Sequence, residues 1–205
     1  MTIPVDPPIF HITHVDNLPS IVRAGGLWCD AQRIARGIGH TNIGHEHIKQ
    51  RRLTRAVTAG AGGVLGDYVP FNFCPRSVML YAVHRGHQDY GAGQENIVHL
   101  VSSVAAATNL GRPWAFSDRH AELAHALHFD DLARLSEVQW EVMHRGKWTD
   151  VKEERQAEFL VHEFFAWTAV TAVAVMTPQA ASRAQLALRG AAHQPPVTTR
   201  PAWYY

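Results

Sequence analysis

The sequence predicts an α+β fold, and three observations carry that expectation. Short apolar runs rich in β-branched and aromatic residues recur at 9–13, 68–73, 78–83, 97–104, 157–161 and 170–176, each the length of a strand rather than of a helix. Capped or amphipathic helical stretches lie among them. The two kinds do not alternate regularly, so neither a βαβ succession nor a doubly wound sheet is expected. With 205 residues, 46% hydrophobic and 18% charged, the chain suits a single domain over 1–205 with a real core.

In chain order, 9–13 alternates like a short strand. Asp16 or Asn17 can cap a helix carrying Leu18, Ile21 and Val22, which Gly25-Gly26 ends. Residues 30–42 read as loop with broken helix, and 44–55 as a polar, basic helix. Gly60 to Gly63 is a flexible turn. Residues 68–73 and 78–83 read as strands, and 97–104 as a buried strand. Helical periodicity covers 122–142, with Asp130-Asp131 as its weak point. Residues 157–161 and 170–176 read as core strands. The stretch 178–189 is a helix with Pro178 at its start, and 197–205 closes as an edge strand.

Composition narrows the function. The formal net charge is +1, so a nucleic-acid partner would need a local basic patch. Cys29 and Cys74 form no CxxC pair and read as reduced thiols. The N-terminus has no basic region followed by an apolar run, and no stretch nears ~20 apolar residues. A soluble, cytoplasmic protein with no membrane contact is expected. Fourteen histidines invite a metal reading, but His45-Glu46-His47 and His162-Glu163 do not make HExxH, so no metal is expected. Gly37-Ile38-Gly39 lacks a third glycine, and neither a P-loop nor a GxSxG elbow occurs.

Three features remain. Alternation puts His11 and Thr13 on one face of the first strand, where polar groups need partners. Taken alone they read as a surface histidine and a capping threonine. In Lys49-Gln50-Arg51-Arg52-Leu53-Thr54-Arg55, Arg51 and Arg55 share a helix face while Arg52 points about 100° away. Alone this is a solvated face; functionally it suits phosphate capture. Finally, Gln156 and Glu158 stand two apart at the mouth of an apolar strand, where a carboxylate is costly unless paired or solvated.

Longer motifs add a resemblance. FHITHVDNLPSIVRAGGL at 10–27, HIKQRR at 47–52, GDYVPFNFCPRSVMLYAV at 66–83, FSDRH at 116–120, RQAEFLV at 155–161 and PAWYY at the terminus together resemble the ADP-ribosyltransferase superfamily, and within it the DarT family. The resemblance implies a split central sheet with short helices around an NAD⁺ cleft. It implies transfer of ADP-ribose from NAD⁺ to a base of single-stranded DNA, thymine by subgroup, by a toxin paired with a macrodomain antitoxin. NAD⁺ is then substrate, and no further cofactor is implied. Glu158 and Arg52 fall at catalytic positions. His11, Ile12, Thr13, Ser20, Trp28 and Arg52 fall in the NAD⁺ site. Arg51, Arg55, Arg119 and Gln156 are expected on the DNA side, with Tyr68 and Phe71 stacking on bases. The segment 117–158 corresponds to the acceptor-selecting loop. Alternatives are transfer to RNA or protein, NAD⁺ hydrolysis, or an inactive nucleotide-binding module.

Overall fold

The computed structural model describes residues 3–205; Met1 and Thr2, part of the segment read for a leader, lie outside them. The strands and helices are β1 (Pro8–His14), α1 (Leu18–Arg23), β2 (Gly26–Trp28), α2 (Asp30–Ala35), α3 (Glu46–Arg52), β3 (Tyr68–Asn72), α4 (Val78–Arg85), β4 (Ile97–Ser103), α5 (Val104–Thr108), β5 (Trp114–His120), β6 (His128–Phe129), β7 (Ala157–His162), β8 (Phe164–Ala166), β9 (Ala172–Val175), α6 (Pro178–Leu188) and β10 (Val197–Thr199). Eight strands form one sheet in the order β10-β9-β4-β1-β3-β7-β5-β6, and β2 pairs with β8 beside it. All pairings are antiparallel except β10 with β9. The architecture is α+β, as the mixed sequence pattern predicts.

Four of the sequence assignments are corrected. Residues 78–83 form α4, not a strand, because the Ser77 hydroxyl accepts from the Leu80 amide and starts a helix there. The burial of Val78, Leu80 and Val83 gives that helix one packed face. Residues 122–142 form no α-helix. Asp131 caps a 3₁₀ turn over Leu132–Glu137, a second turn covers Trp140–His144, and Leu135, Val138, Trp140 and Val142 pack inward from both. An apolar spacing that resembles one helix is here shared between two short turns. The strand β5 was not anticipated at all. Its small and polar centre, Ala-Phe-Ser-Asp, is buried between β7 and β6. The tail is an edge strand only over Val197–Thr199; Pro201–Trp203 then turn, and the buried Tyr204 hydroxyl donates to the Ile97 carbonyl at 2.9 Å.

The main core fills the space around β3, β7, β4 and β9, with Phe71, Phe116, Phe159 and Phe165 fully buried. Gly26 is required where β2 meets β8: a methyl group there would collide with the Phe165 carbonyl and the Phe164 ring. No helix among the described residues is long and apolar enough to cross a membrane.

Candidate active site

The sheet splits at its centre. β1 pairs with β4 from Pro8 to His14, but its other edge meets β3 in the single register pair Phe10↔Asn72. Pro70 explains the break. Its carbonyl faces β1, accepting from His11 Nδ1 at 2.8 Å, so the side on which Pro70 lacks an N–H is also the β1 side. The two strands diverge beyond that point, and a cleft of about 580 Å³ opens between them.

The cleft is walled by β1, α1, β2, the segment 38–45, α3, the middle of β3, and the 120–123 and 152–158 stretches beside β7. His11 uses Nδ1–H on Pro70, leaving Nε2 as an acceptor. Burial pushes its pKa down, so the ring stays neutral. Thr13 Oγ1 accepts from the Asn17 side-chain amide at 3.0 Å. Asn17, rather than capping α1, clamps the 38–45 segment: its Nδ2 donates to Thr41 O at 3.0 Å and its Oδ1 accepts from Thr41 N at 2.8 Å. Ser20 Oγ donates to Asn17 O at 2.8 Å. Trp28 lines the far wall, with the Arg36 guanidinium 3.8 Å from its ring centroid and Phe164 against its other side. Lys49 reaches His40 Nε2 at 2.9 Å and Asp30 at 3.8 Å. Burial and the Lys49 charge push His40 down to about 4.

At the inner end stand Arg52 and Glu158. Arg52 Nη1 donates to Glu158 Oε1 at 3.0 Å, and Nη2 lies 2.9 Å from Oε2 without the alignment of a hydrogen bond. Both of those outer atoms are buried, so each retains capacity for a ligand. Ser117 Oγ accepts from the Glu158 amide at 3.0 Å and fixes its place on β7. His120 Nε2 is 3.9 Å from Glu158 Oε1. Burial pushes the Glu158 carboxyl up, but the Arg52 guanidinium, by its charge and its hydrogen bond, outweighs this and holds the group below its ordinary value. Burial lowers the His120 pKa despite Glu158, so that ring is neutral near pH 7. The result is a fixed anion, a fixed cation and a neutral imidazole at the bottom of one cleft.

The remaining sequence candidates divide. Gln156 lines the cleft and its Nε2 donates to Lys152 O. Arg51 diverges from Arg52, as helix geometry predicts, and forms a bidentate pair with Glu122 at 2.6 and 3.2 Å. It therefore stands at the rim, but not as a free cation. Arg55 lies off the cleft, half-buried. Arg119 meets Asp118 at 2.9 Å and Glu153 and Glu154 at 3.8 Å each, so its charge is already answered. Tyr68 and Phe71 are corrected: they are 1% and 0% exposed, and the Tyr68 hydroxyl donates to Gly62 O. Neither can stack on a base. Asn17, Lys49, His120 and Glu122 line the cleft without having been picked out. Asn17 left a trace in the sequence as a candidate cap, Lys49 as the first residue of the basic run, and His120 at the end of FSDRH, none of them as a site residue.

Residues 10–205 match the family described as ssDNA thymidine ADP-ribosyltransferase, DarT. This chain belongs to the DarT family. It is an NAD-dependent DNA ADP-ribosyltransferase. A DNA ADP-ribosyl transferase of Thermus sp. (strain 2.9) is 42% identical to this DarT chain over 209 aligned residues, covering 100% of it and 99% of the relative. Its fold matches Thermus sp. 2.9 DarT in complex with ADP-ribosylated ssDNA at a TM-score of 0.95 and 40% identity, covering 100% of this chain and 99% of that one. It also matches Thermus sp. 2.9 DarT in complex with NAD⁺ at a TM-score of 0.89 and 39% identity, over 100% of both chains. The split sheet is thus that of the DarT ADP-ribosyltransferase fold.

Proposed function

We propose that this chain moves ADP-ribose from NAD⁺ to a thymine of single-stranded DNA, with Glu158 and Arg52 as its catalytic residues. The carrying observation is the buried Arg52–Glu158 pair at the foot of the cleft, each partner with an unsatisfied outer atom. The bond between nicotinamide and C1′ of the ribose breaks, and nicotinamide leaves neutral with the bonding electrons. The centre left behind is oxocarbenium-like, as in glycoside cleavage. Glu158, held ionised, binds the ribose hydroxyls and stabilises the positive charge that develops. The base nitrogen supplies the electron pair of the new C–N bond and loses its proton. An arginine, with a pKa of about 12.5 or above, is a poor proton acceptor at neutral pH. Arg52 therefore stabilises the anionic base, and the neutral His120 is placed to take the proton.

His11, Ile12, Thr13, Ser20 and Trp28 bind NAD⁺ along the β1 side, and Gln156 meets the acceptor. The chemistry asks nothing of a metal or of a cofactor beyond NAD⁺ itself. Arg51 sits on the rim where a DNA phosphate could exchange with Glu122, while Arg55 and Arg119 have weaker standing as DNA contacts. A toxin role with a macrodomain antitoxin that removes the mark completes the reading, on the strength of the family resemblance.

The test is mass spectrometry of mixed-sequence oligonucleotides after incubation with enzyme and NAD⁺. One ADP-ribose on thymine is expected. Modification of another base, of RNA or protein alone, or free ADP-ribose as sole product, would overturn the proposal.

A further inference from the structure

The start of α3 carries a second cluster of chemistry. His45, immediately before the helix, meets His87 and Asp89 from the turn that follows α4. One ligand atom from each lies within 4.8 Å of the other two. His45 Nδ1 is 3.6 Å and His87 Nδ1 3.9 Å from the same oxygen, Asp89 Oδ2. Tetrahedral zinc with bonds of about 2.0–2.1 Å sets its ligands roughly 3.3 Å apart, so the two distances to Asp89 need close by only a few tenths of an ångström.

The state of His87 points to an ion rather than to an ordinary polar contact. Its side chain is 8% exposed. Its Nε2–H donates to the Ile43 carbonyl at 3.2 Å, and its Nδ1 is buried without any hydrogen-bond partner. A buried imidazole nitrogen without a partner is costly. A ring oriented by a backbone carbonyl on one nitrogen, with a bare lone pair on the other, is how a metal-binding histidine is held. Asp89 is itself positioned, since its Oδ2 also accepts from the Glu46 amide at 3.3 Å. His45 and His87 open on a shallow hollow of about 380 Å³ between α4 and the Trp148–Lys152 stretch. That hollow gives the ion a route and leaves room for water in a fourth position.

We propose that His45, His87 and Asp89 form a binding site for one divalent transition metal of the zinc type. Two imidazoles and one carboxylate suit such an ion better than calcium or magnesium, which favour all-oxygen sets. The ion would pin the first turn of α3 to the 87–90 turn. That steadies the wall of the cleft formed by Ile43, Gly44 and Ile48. It takes no part in glycosidic chemistry, because His45 precedes Arg52 by about 10 Å of helix. The spacing His45-Glu46-His47 could not show this site, since two of its ligands lie more than forty residues further on and His47 is not among them.

The test is zinc binding by the full chain after treatment with EDTA, followed by calorimetric titration with ZnCl₂ and by the visible absorption of the Co²⁺ form. One ion per chain is expected, with a tetrahedral Co²⁺ spectrum and a Tm that rises with zinc. His87→Ala and the isosteric Asp89→Asn should each weaken binding at least ~10-fold, the lower end of what the loss of even an outer partner does. His47→Ala should bind as the parent does. Circular dichroism checks that each variant is folded. Absence of binding in the parent overturns the site, as does unchanged affinity in folded Asp89→Asn. Either result can occur with ADP-ribosylation intact, so this test stands apart from the catalytic reading.

Discussion

Arg52 and Glu158, 106 residues apart in the sequence, hold one another in a buried pair with only one aligned hydrogen bond. Burying two charges is costly unless both are well partnered, so the pair is suited to take up further hydrogen bonds from a substrate. Glu158→Ala should lower turnover at least ~10²-fold, as removal of one preorganised electrostatic group does, while NAD⁺ still binds. Arg52→Ala should do the same at saturating substrates. The double variant should be little worse than either, since the two act as one unit. Single-turnover rates with labelled NAD⁺ decide this; simple additivity, or parent-like rates, would refute the shared role.

Arg51 provides the contrast. Arg51→Ala should keep its turnover at saturating DNA, losing affinity and about one phosphate's worth of salt dependence. In its pair with Glu122 the Arg51 side chain is half exposed but the carboxylate is buried, so losing Arg51 leaves that acceptor without its partner and should cost about 1–3 kcal/mol of stability. If Arg51→Ala is the dead enzyme and Arg52→Ala turns over, the catalytic role belongs to Arg51.

Asn17 should act on binding rather than on chemistry. Asn17→Ala removes both hydrogen bonds that hold Thr41 and the one that Asn17 gives to Thr13 on β1. KM for NAD⁺ should rise several-fold while kcat changes less, and stability should fall by about 1–3 kcal/mol. A kcat collapse at unchanged KM would place Asn17 in the reaction itself.

Acid should unfold the protein partly through His99. This ring is fully buried, with Nε2–H donating to the Pro75 carbonyl at 2.9 Å and Nδ1 3.1 Å from the Tyr204 hydroxyl, and burial pushes it down to about 4. The unfolded chain takes up this proton near pH 6.5, the folded chain only near 4. Protonation between those values therefore favours the unfolded state, and the stability present above pH 6.5 is lost as pH falls through the window. Urea unfolding at stepped pH measures it. A slope unaltered in His99→Gln would show that other groups carry the effect.

The acceptor should be unpaired. A base nitrogen within a duplex is reached only after unstacking and unpairing, which cost a few kcal/mol. Tyr68 and Phe71 are buried and cannot act as a wedge between bases. Single strands should be modified much faster than the same sequence annealed to its complement; equal rates would count against this.

How far the sequence led depends on what local pattern encodes. β4, β7 and β9 were legible because each carries a short apolar run buried on both faces, and β1 because it alternates. α4 was not, because Val-Met-Leu-Tyr-Ala-Val fits a strand as well as a helix and only the Ser77 cap decides. β5 was hidden by its polar centre, and with it Ser117 and His120, which support Glu158. Arg52 and Glu158 were reached through family motifs, since their meeting depends on a fold that brings α3 over β7. Tyr68 and Phe71 were misplaced because aromatic residues in a strand look the same in sequence whether they pack inward or face a ligand.

One proline has a chemical consequence beyond opening a gap. Phe10 turns its carbonyl toward Asn72, so strand alternation turns the N–H and C=O of Ile12 toward the same side, past the last register pair with β3 and opposite a residue with no N–H to give. The strand thus presents a donor and an acceptor side by side, the pattern that reads another peptide group. A primary carboxamide satisfies both. A carboxylate of the same shape has no N–H to give and would face the Ile12 carbonyl with like charge. On the proposed reading, with Ile12 in the NAD⁺ site, the missing hydrogen of Pro70 would favour an amide dinucleotide over its deamidated acid.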